Sequence, residues 1–277
     1  MIKQKPSDSM NLFDSHCHLD DPAFGSDIKD VIRRASKAGV KGIMIAGIDR
    51  KSSEKAVSIA RSHAGIYASI GFHPHDSKDC SDEDLEGLKL LTASPKACAW
   101  GEIGLDFNRM FSPRKTQEKW FIQQLEIAKE LDLPLILHER DTGGRLIEIL
   151  KANGIHEPGG VIHCFSGTRS ELKTYLDLGY YIGVTGVVTL KDRGGDLQRL
   201  SKEIPSNRLL VETDAPYLTP YPEKKRVRRN EPAFVKSVLL KLAEIRGEDP
   251  RFLANATWEN TCRLFRIEGA LPKATAE

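Results

Sequence analysis

Six residues in this chain have side chains suited to holding metal: His16, His18, Glu102, His138, His163 and Asp214. Each closes an apolar run, in "LFDSHCH", "ACAWGE", "LPLILH", "GGVIH" and "RLLVETD". Neutral imidazole and anionic oxygen in this mixture suit divalent cations, and the donor set is large enough for two cations sharing one carboxylate. In an extended strand, the spacing of His16 and His18 puts both on one face and sends Cys17 to the other, so the cysteine is not expected to bind. By the same alternation Asp14 falls on the histidine face, where it would fix an imidazole tautomer from behind. A lone histidine or carboxylate at such a place would read as a packed or solvated residue. Six donors ending five apolar runs do not, because an uncompensated carboxylate there carries a desolvation cost of about several kcal/mol.

The elements that must position these residues repeat along the chain. Strand-like runs at Asn11–His16, Gly42–Ala46, Ile66–Ile70 and Ala97–Glu102 alternate with helix-like ones at Asp27–Ala38, Ser52–Ser62, Ser81–Thr92 and Pro113–Leu131. Four more strands follow at Pro134–His138, Gly160–His163, Tyr180–Val184 and Arg208–Glu212. Their helices are expected at Gly144–Ala152, Arg169–Leu178, Asp196–Glu203 and Ala233–Arg246. In the first helix Ile28, Val31, Ile32 and Ala35 share one face, and in the fourth Trp120, Phe121, Leu125, Ala128 and Leu131 do. Eight such units without a compositional break predict an α/β fold, a single (β/α)8 TIM barrel over about residues 11–248. A further helix over about 250–266 is expected to pack outside it. A doubly wound open sheet uses the same units, but no G-x-G-x-x-G or P-loop follows any strand. In a barrel the C-terminal strand ends form the active-site mouth, which is where the six donors fall.

Composition narrows the class. The 277 residues, 40% hydrophobic, can bury a large core. No apolar run approaches the roughly 20 residues of a membrane span, and "MIKQKPSDSMN" has no signal-peptide core, so a soluble, cytoplasmic protein is expected. Cys17, Cys80, Cys98, Cys164 and Cys262 show no C-x-x-C spacing and read as reduced thiols. With 41 basic and 39 acidic residues, any surface for nucleic acid has to be local. The local candidate is "EKKRVRRNEP", where Lys224, Lys225, Arg226, Arg228 and Arg229 follow the eighth strand beside Asp214 and could track a polyanion. Arg140, two residues beyond His138, is placed for bidentate contact with a phosphate. His73, directly after the third strand, is a candidate substrate contact, and His75 a weaker one. His63 and His156 read as structural or solvated.

The blocks "DSHCHLD", "IGFHPHD", "GEIGLDF", "QLEIAKELDLPLILHERD", "HCFSGT", "VETDAPYL" and "RRNEP", in that order, resemble the TatD family of metal-dependent hydrolases over about residues 12–266. The resemblance implies one metal at His16 and His18 with Asp214, a second at His138 and His163, and Glu102 as the bridge. It also implies that Asp214 orients or deprotonates the attacking water. Related amidohydrolases often bridge their metals with a carbamylated lysine on the fourth strand, whereas "AWGEIG" offers Glu102 and no lysine. The two glycines of "HERDTGGRL" depart from the family pattern and leave the shape of that loop open.

The expected activity is deoxyribonuclease, as a 3′-5′ exonuclease on single-stranded DNA, with RNA as another substrate. The expected cofactors are two divalent ions, Mg, Mn or Zn, and no membrane or obligate protein partner is expected. Two other readings compete. A deacylase or esterase, for example one editing misacylated tRNA, would use the same centre. A pseudoenzyme would bind nucleic acid by the basic loop alone, which retention of all six donors disfavours.

Overall fold

The structure, a computed structural model, describes residues 10–154 and 156–267. Residues 1–9, most of the stretch read for a signal peptide, lie outside the described residues. The elements run β1 (Leu12–Cys17), α1 (Ile28–Ala38), β2 (Val40–Ala46), α2 (Arg50–Ser62), β3 (Ile66–Ile70) and α3 (Asp82–Leu91). They continue with β4 (Ala97–Asp106), α4 (Arg114–Glu130), β5 (Leu135–Arg140), α5 (Arg145–Ala152), β6 (Gly160–His163) and α6 (Arg169–Asp177). The last are β7 (Tyr181–Val184), α7 (Gly195–Ser201), β8 (Leu209–Val211), α8 (Val235–Arg246) and α9 (Pro250–Leu264). Local signals set the helix ends. Asp49 and Ser52 form a capping box at the start of α2, and Gly39, left-handed at φ +99°, ends α1.

All eight strands are parallel and neighbour one another in sequence order, as the alternation predicts. The ring is completed where β1 meets the end of β8. His16 O accepts from the Asp214 N–H (2.9 Å), and the His18 N–H donates to Ala215 O (2.7 Å). Ser15 Oγ donates to Val211 O (3.0 Å). The carboxylate of Asp14 takes the Thr213 N–H (2.8 Å) and hydroxyl (2.6 Å). The alternation in β1 is broken between Asp14 and Cys17, so Asp14 is spent on this seam instead of steering an imidazole. Cys17 does turn away from the histidines, with Sγ 3.5 Å from Met44 O.

Two apolar layers form the core. One lies between the strands and the surrounding helices, where Leu12, Ile45, Leu137 and Val211 meet Val31, Phe121, Leu146 and Leu239. The other takes Phe13, Met44, Ala99, Ile136, Val161, Tyr181 and Leu210, one from each of seven strands, and so is the floor inside the barrel. Trp258, Cys262, Leu264 and Phe265 pack into that same layer, with the Trp258 ring 5.7 Å from that of Phe13. The final helix is therefore a stopper in the bottom of the barrel and not an external addition, because interior side chains at that end need an apolar cover.

β4 runs four residues past its expected end at Glu102 and pairs with β5 from Ile103↔Leu137 to Asp106↔Arg140. Glycine makes this possible: Gly101 (φ +155°) and Gly104 (φ +145°) lie so close to β5 that a Cβ would strike Ile136 O and His138 O. No helix among the described residues is long and apolar enough to cross a membrane.

Trp258→Ala should lower unfolding free energy by about 3 kcal/mol or more, since it opens the barrel floor. Urea denaturation followed by circular dichroism measures this. A loss under about 1 kcal/mol would show that α9 does not close the interior.

Candidate metal centre

The six expected donors converge at the C-terminal end of the strands, around Glu102. Its carboxylate is 3% exposed and divides its two oxygens between two groups of imidazoles. Oε2 lies 3.3 Å from His16 Nε2 and 3.9 Å from His18 Nε2. Oε1 lies 2.7 Å from His138 Nδ1, 3.3 Å from His73 Nε2 and 3.9 Å from His163 Nε2. Asp214 stands on the solvent side, with Oδ1 3.4 Å from His18 Nε2, 3.6 Å from His163 Nε2 and 3.8 Å from His16 Nε2.

This donor set fits divalent cations. Two donors each roughly 2.0–2.2 Å from one cation at tetrahedral angles stand about 3.3–3.6 Å apart. His16 Nε2 and His18 Nε2 are 3.3 Å apart, and His16–Glu102 (3.3 Å) and His18–Asp214 (3.4 Å) fall in the same range, with the crossed distances at 3.8 and 3.9 Å. His16, His18 and Asp214 form one cluster of converging donor atoms, and Glu102, His138 and His163 another.

Behind three of the four donor rings stands an oxygen that favours one nitrogen facing the centre. His18 Nδ1 is 3.3 Å from Ala46 O, and His138 Nε2 is 3.2 Å from Asp106 Oδ2. His163 Nδ1 is 2.9 Å from Glu212 Oε1. Carbonyl and carboxylate oxygens only accept, so the outward nitrogen keeps a proton, and with a cation bound the inward one would offer its lone pair; without one, the inward Nδ1 of His138 donates to Glu102 (2.7 Å). His73 differs. Its Nδ1 accepts the His75 N–H (3.1 Å), so its proton sits on Nε2 and points at Glu102. His73 was expected as a substrate contact, but it is 6% exposed and acts as a donor to the central carboxylate.

Charge follows the same geometry. Burial opposes ionisation of Glu102, yet His73, His16, His163 and His138 together hold its pKa well below the usual carboxylate range. Burial likewise opposes charge on Asp214, but His18 and His163 keep its pKa low. Burial and the neighbouring His163 push His16 down. His18 is raised to about 9 against the pull of burial by Asp214 and Glu102. His138 is raised to about 9 in the same way by Asp106 and Glu102. Burial lowers His73 to about 4, so it is neutral near pH 7.

Asp106 and Glu212 went unread in the sequence. Asp106 is fully buried, binds His75 Nε2 (2.7 Å) as well as His138, and accepts the N–H groups of Asn108 (3.0 Å) and Arg109 (2.8 Å). Each is two or four residues from a donor already identified, Glu212 before Asp214 and Asp106 after Glu102, and that spacing was the available signal. Histidines outside the centre behave as expected: His63 Nδ1 bonds Ile59 O (3.0 Å) at the end of α2, and His156 Nε2 bonds Leu133 O (2.8 Å).

The arginines separate. Arg140 and Arg228 are exposed at the mouth, together with Lys224, Lys225 and Arg226. Arg229 is instead clamped by Asp27 (2.8 and 2.7 Å), Glu231 (2.9 Å) and Ala23 O (2.7 Å), tying the loop after β8 to the start of α1.

The family model for TatD related DNase matches residues 13–266, from β1 through the end of α9. The chain belongs to the TatD family. This TatD chain is 42% identical to a 3'-5' ssDNA/RNA exonuclease TatD of Rahnella sp. (strain Y9602), over 92% of its own length and 98% of that protein. It is 40% identical to the uncharacterized metal-dependent hydrolase YabD of Bacillus subtilis (strain 168), over 92% of its length and 99% of that protein. Among solved structures it is similar to a TatD homologue from Escherichia coli k12, with a TM-score of 0.86 and 33% identity, covering 92% of this chain and 98% of that one.

Metal binding should release protons near pH 7. His18 and His138, each raised to about 9, hold protons there that a cation must displace, so affinity should climb as pH rises from 7 toward 9. Calorimetric titration with manganese in buffers of different ionisation enthalpy counts these protons. Net proton uptake, or none, would contradict the assigned donors.

Proposed function

We propose that this TatD chain is a 3′-5′ exonuclease that hydrolyses phosphodiester bonds of single-stranded DNA, with RNA also accepted, using two divalent cations. The observation that carries the reading is the divided carboxylate of Glu102, which turns one oxygen to His16 and His18 and the other to His138 and His163. A single cation would leave one of these groups without a role. Relatives named as 3'-5' ssDNA/RNA exonucleases supply the substrate and polarity. The exposed Lys224, Lys225, Arg226, Arg228 and Arg140 over the mouth favour a polyanion over a small neutral ester.

Two cations held there would acidify water and offset charge on a phosphoryl oxygen. The remaining work belongs to the protein. Glu102, His16, His18, His138, His163 and Asp214 hold the cations. Asp214, kept ionised and with its side chain 15% exposed, faces incoming water and accepts its proton. Glu102, buried and hydrogen-bonded by His73, has no such access. Arg140 and Arg228 contact flanking phosphates and fix the register of the strand.

Labelled single- and double-stranded DNA and RNA, digested with each of Mg, Mn and Zn, test the assignment directly. Stepwise loss from the 3′ end of single strands is expected, and Asp214→Ala should slow it about a thousandfold. Cleavage that persists in Asp214→Ala would remove its role as proton acceptor.

The basic loop makes a separate forecast. Lys224→Glu with Lys225→Glu should weaken nucleic-acid binding and flatten the dependence of log Kd on log salt by about two counterions. Fluorescence anisotropy at several salt concentrations reads this, and an unchanged slope would take the loop out of the binding path.

A further inference from the structure

Eight large apolar side chains are exposed among the described residues, and five of them, Met110, Phe111, Tyr217, Tyr221 and Val227, stand on just two loops. Those loops follow β4 and β8, which lie half a turn apart in an eight-stranded ring and so face each other across the metal centre. Phe111, 55% exposed, places its ring 5.0 Å from that of His75, itself bonded to Asp106 beside His138. Tyr217, 54% exposed, places its ring 6.0 Å from that of His18. Each aromatic therefore begins where the donor cluster ends.

Neither ring sits on loose chain. Ser112, next to Phe111, is fully buried; its hydroxyl donates to His75 O (2.7 Å) and accepts the Lys78 N–H (2.9 Å). Gln117 Nε2 holds Ser112 O (2.8 Å), and Asp106 pins the other end of the turn through Asn108 and Arg109. On the opposite side Asn230 Nδ2 binds Tyr217 O (2.6 Å), and the Tyr217 hydroxyl donates to Asp21 (3.1 Å). A scattered exposed apolar residue needs no explanation. Two braced rings on opposite sides of a phosphodiester site, one of them on the loop that carries Lys224, Lys225, Arg226 and Arg228, do.

We propose that Phe111 and Tyr217 are base-stacking platforms that receive unpaired nucleobases on either side of the scissile phosphate. The inference rests on the nuclease reading and adds to it a cause for single-strand specificity. Every base has a π-face that an aromatic ring can hold without regard to sequence, and in a duplex that face is already stacked on its neighbours. The exposed cations follow the backbone, while the two rings select for bases free to leave a stack.

The test uses the metal-loaded protein and single-stranded oligonucleotides. Phe111→Ala and Tyr217→Ala should each raise KM about fivefold to a hundredfold with kcat nearly unchanged. Phe111→Tyr should keep KM near the wild-type value, whereas Phe111→Leu should not, since leucine is apolar but cannot stack. A 2-aminopurine at the 3′ terminus should be quenched on stopped-flow mixing with wild type and less so with the alanine variants. The slope of log KM against log salt should stay at its wild-type value, in contrast to the Lys224→Glu, Lys225→Glu pair. If wild type cleaves oligonucleotides and the alanine variants keep its KM, or leucine rescues as well as tyrosine, the stacking assignment falls alone. If wild type leaves all oligonucleotides intact, the nuclease reading falls and takes this one with it.

Discussion

The structure depends on one buried anion. Glu102 is almost sealed from solvent at the centre of the barrel mouth, and taking a carboxylate out of water costs on the order of several kcal/mol unless other groups compensate. The compensation comes from four different strands or their ends: His16 on β1, His73 after β3, His138 on β5 and His163 on β6. A ring of parallel strands is well suited to this, because it brings residues far apart in sequence to one level around a common axis. The fold and the centre are thus two aspects of the same requirement, that many imidazoles reach one carboxylate.

Around that anion the structure arranges a second set of acceptors. Ala46 O, Asp106 and Glu212 each stand at the outward nitrogen of a histidine and so leave the inward nitrogen as the one that faces the centre. His73 has the opposite arrangement, with a backbone N–H on its outer nitrogen, and that reversal makes it a proton donor in the midst of lone pairs. The difference between a metal donor and a hydrogen-bond donor here is set by what stands behind the ring, not by the residue type.

Much of this was legible in the sequence. The eight-fold alternation of strand and helix pointed to the barrel, and polar residues closing apolar strands pointed to the six side chains that converge at its mouth, because both signals are periodic or local. What escaped depended on contacts between distant segments. The place of α9 under the barrel was not readable from Pro250–Leu264, since an amphipathic helix looks the same whether it covers the outside or the floor. Asp14 followed the strand alternation on paper, but the irregularity in β1 gave it to Thr213. Arg229 belonged to a basic run whose members look alike in sequence, and only the nearness of Asp27 and Glu231 singles it out as a clamp.

The seam between β1 and β8 has a consequence for the order in which the molecule comes into being. Asp14 and Thr213 are 199 residues apart, and the bonds that close the ring run directly through His16 and Asp214. The first pair of histidines leaves the ribosome early and meets the carboxylate of Asp214 only after the last strand has been made. The donor group of His16, His18 and Asp214 is therefore complete only when both ends of the barrel have been made.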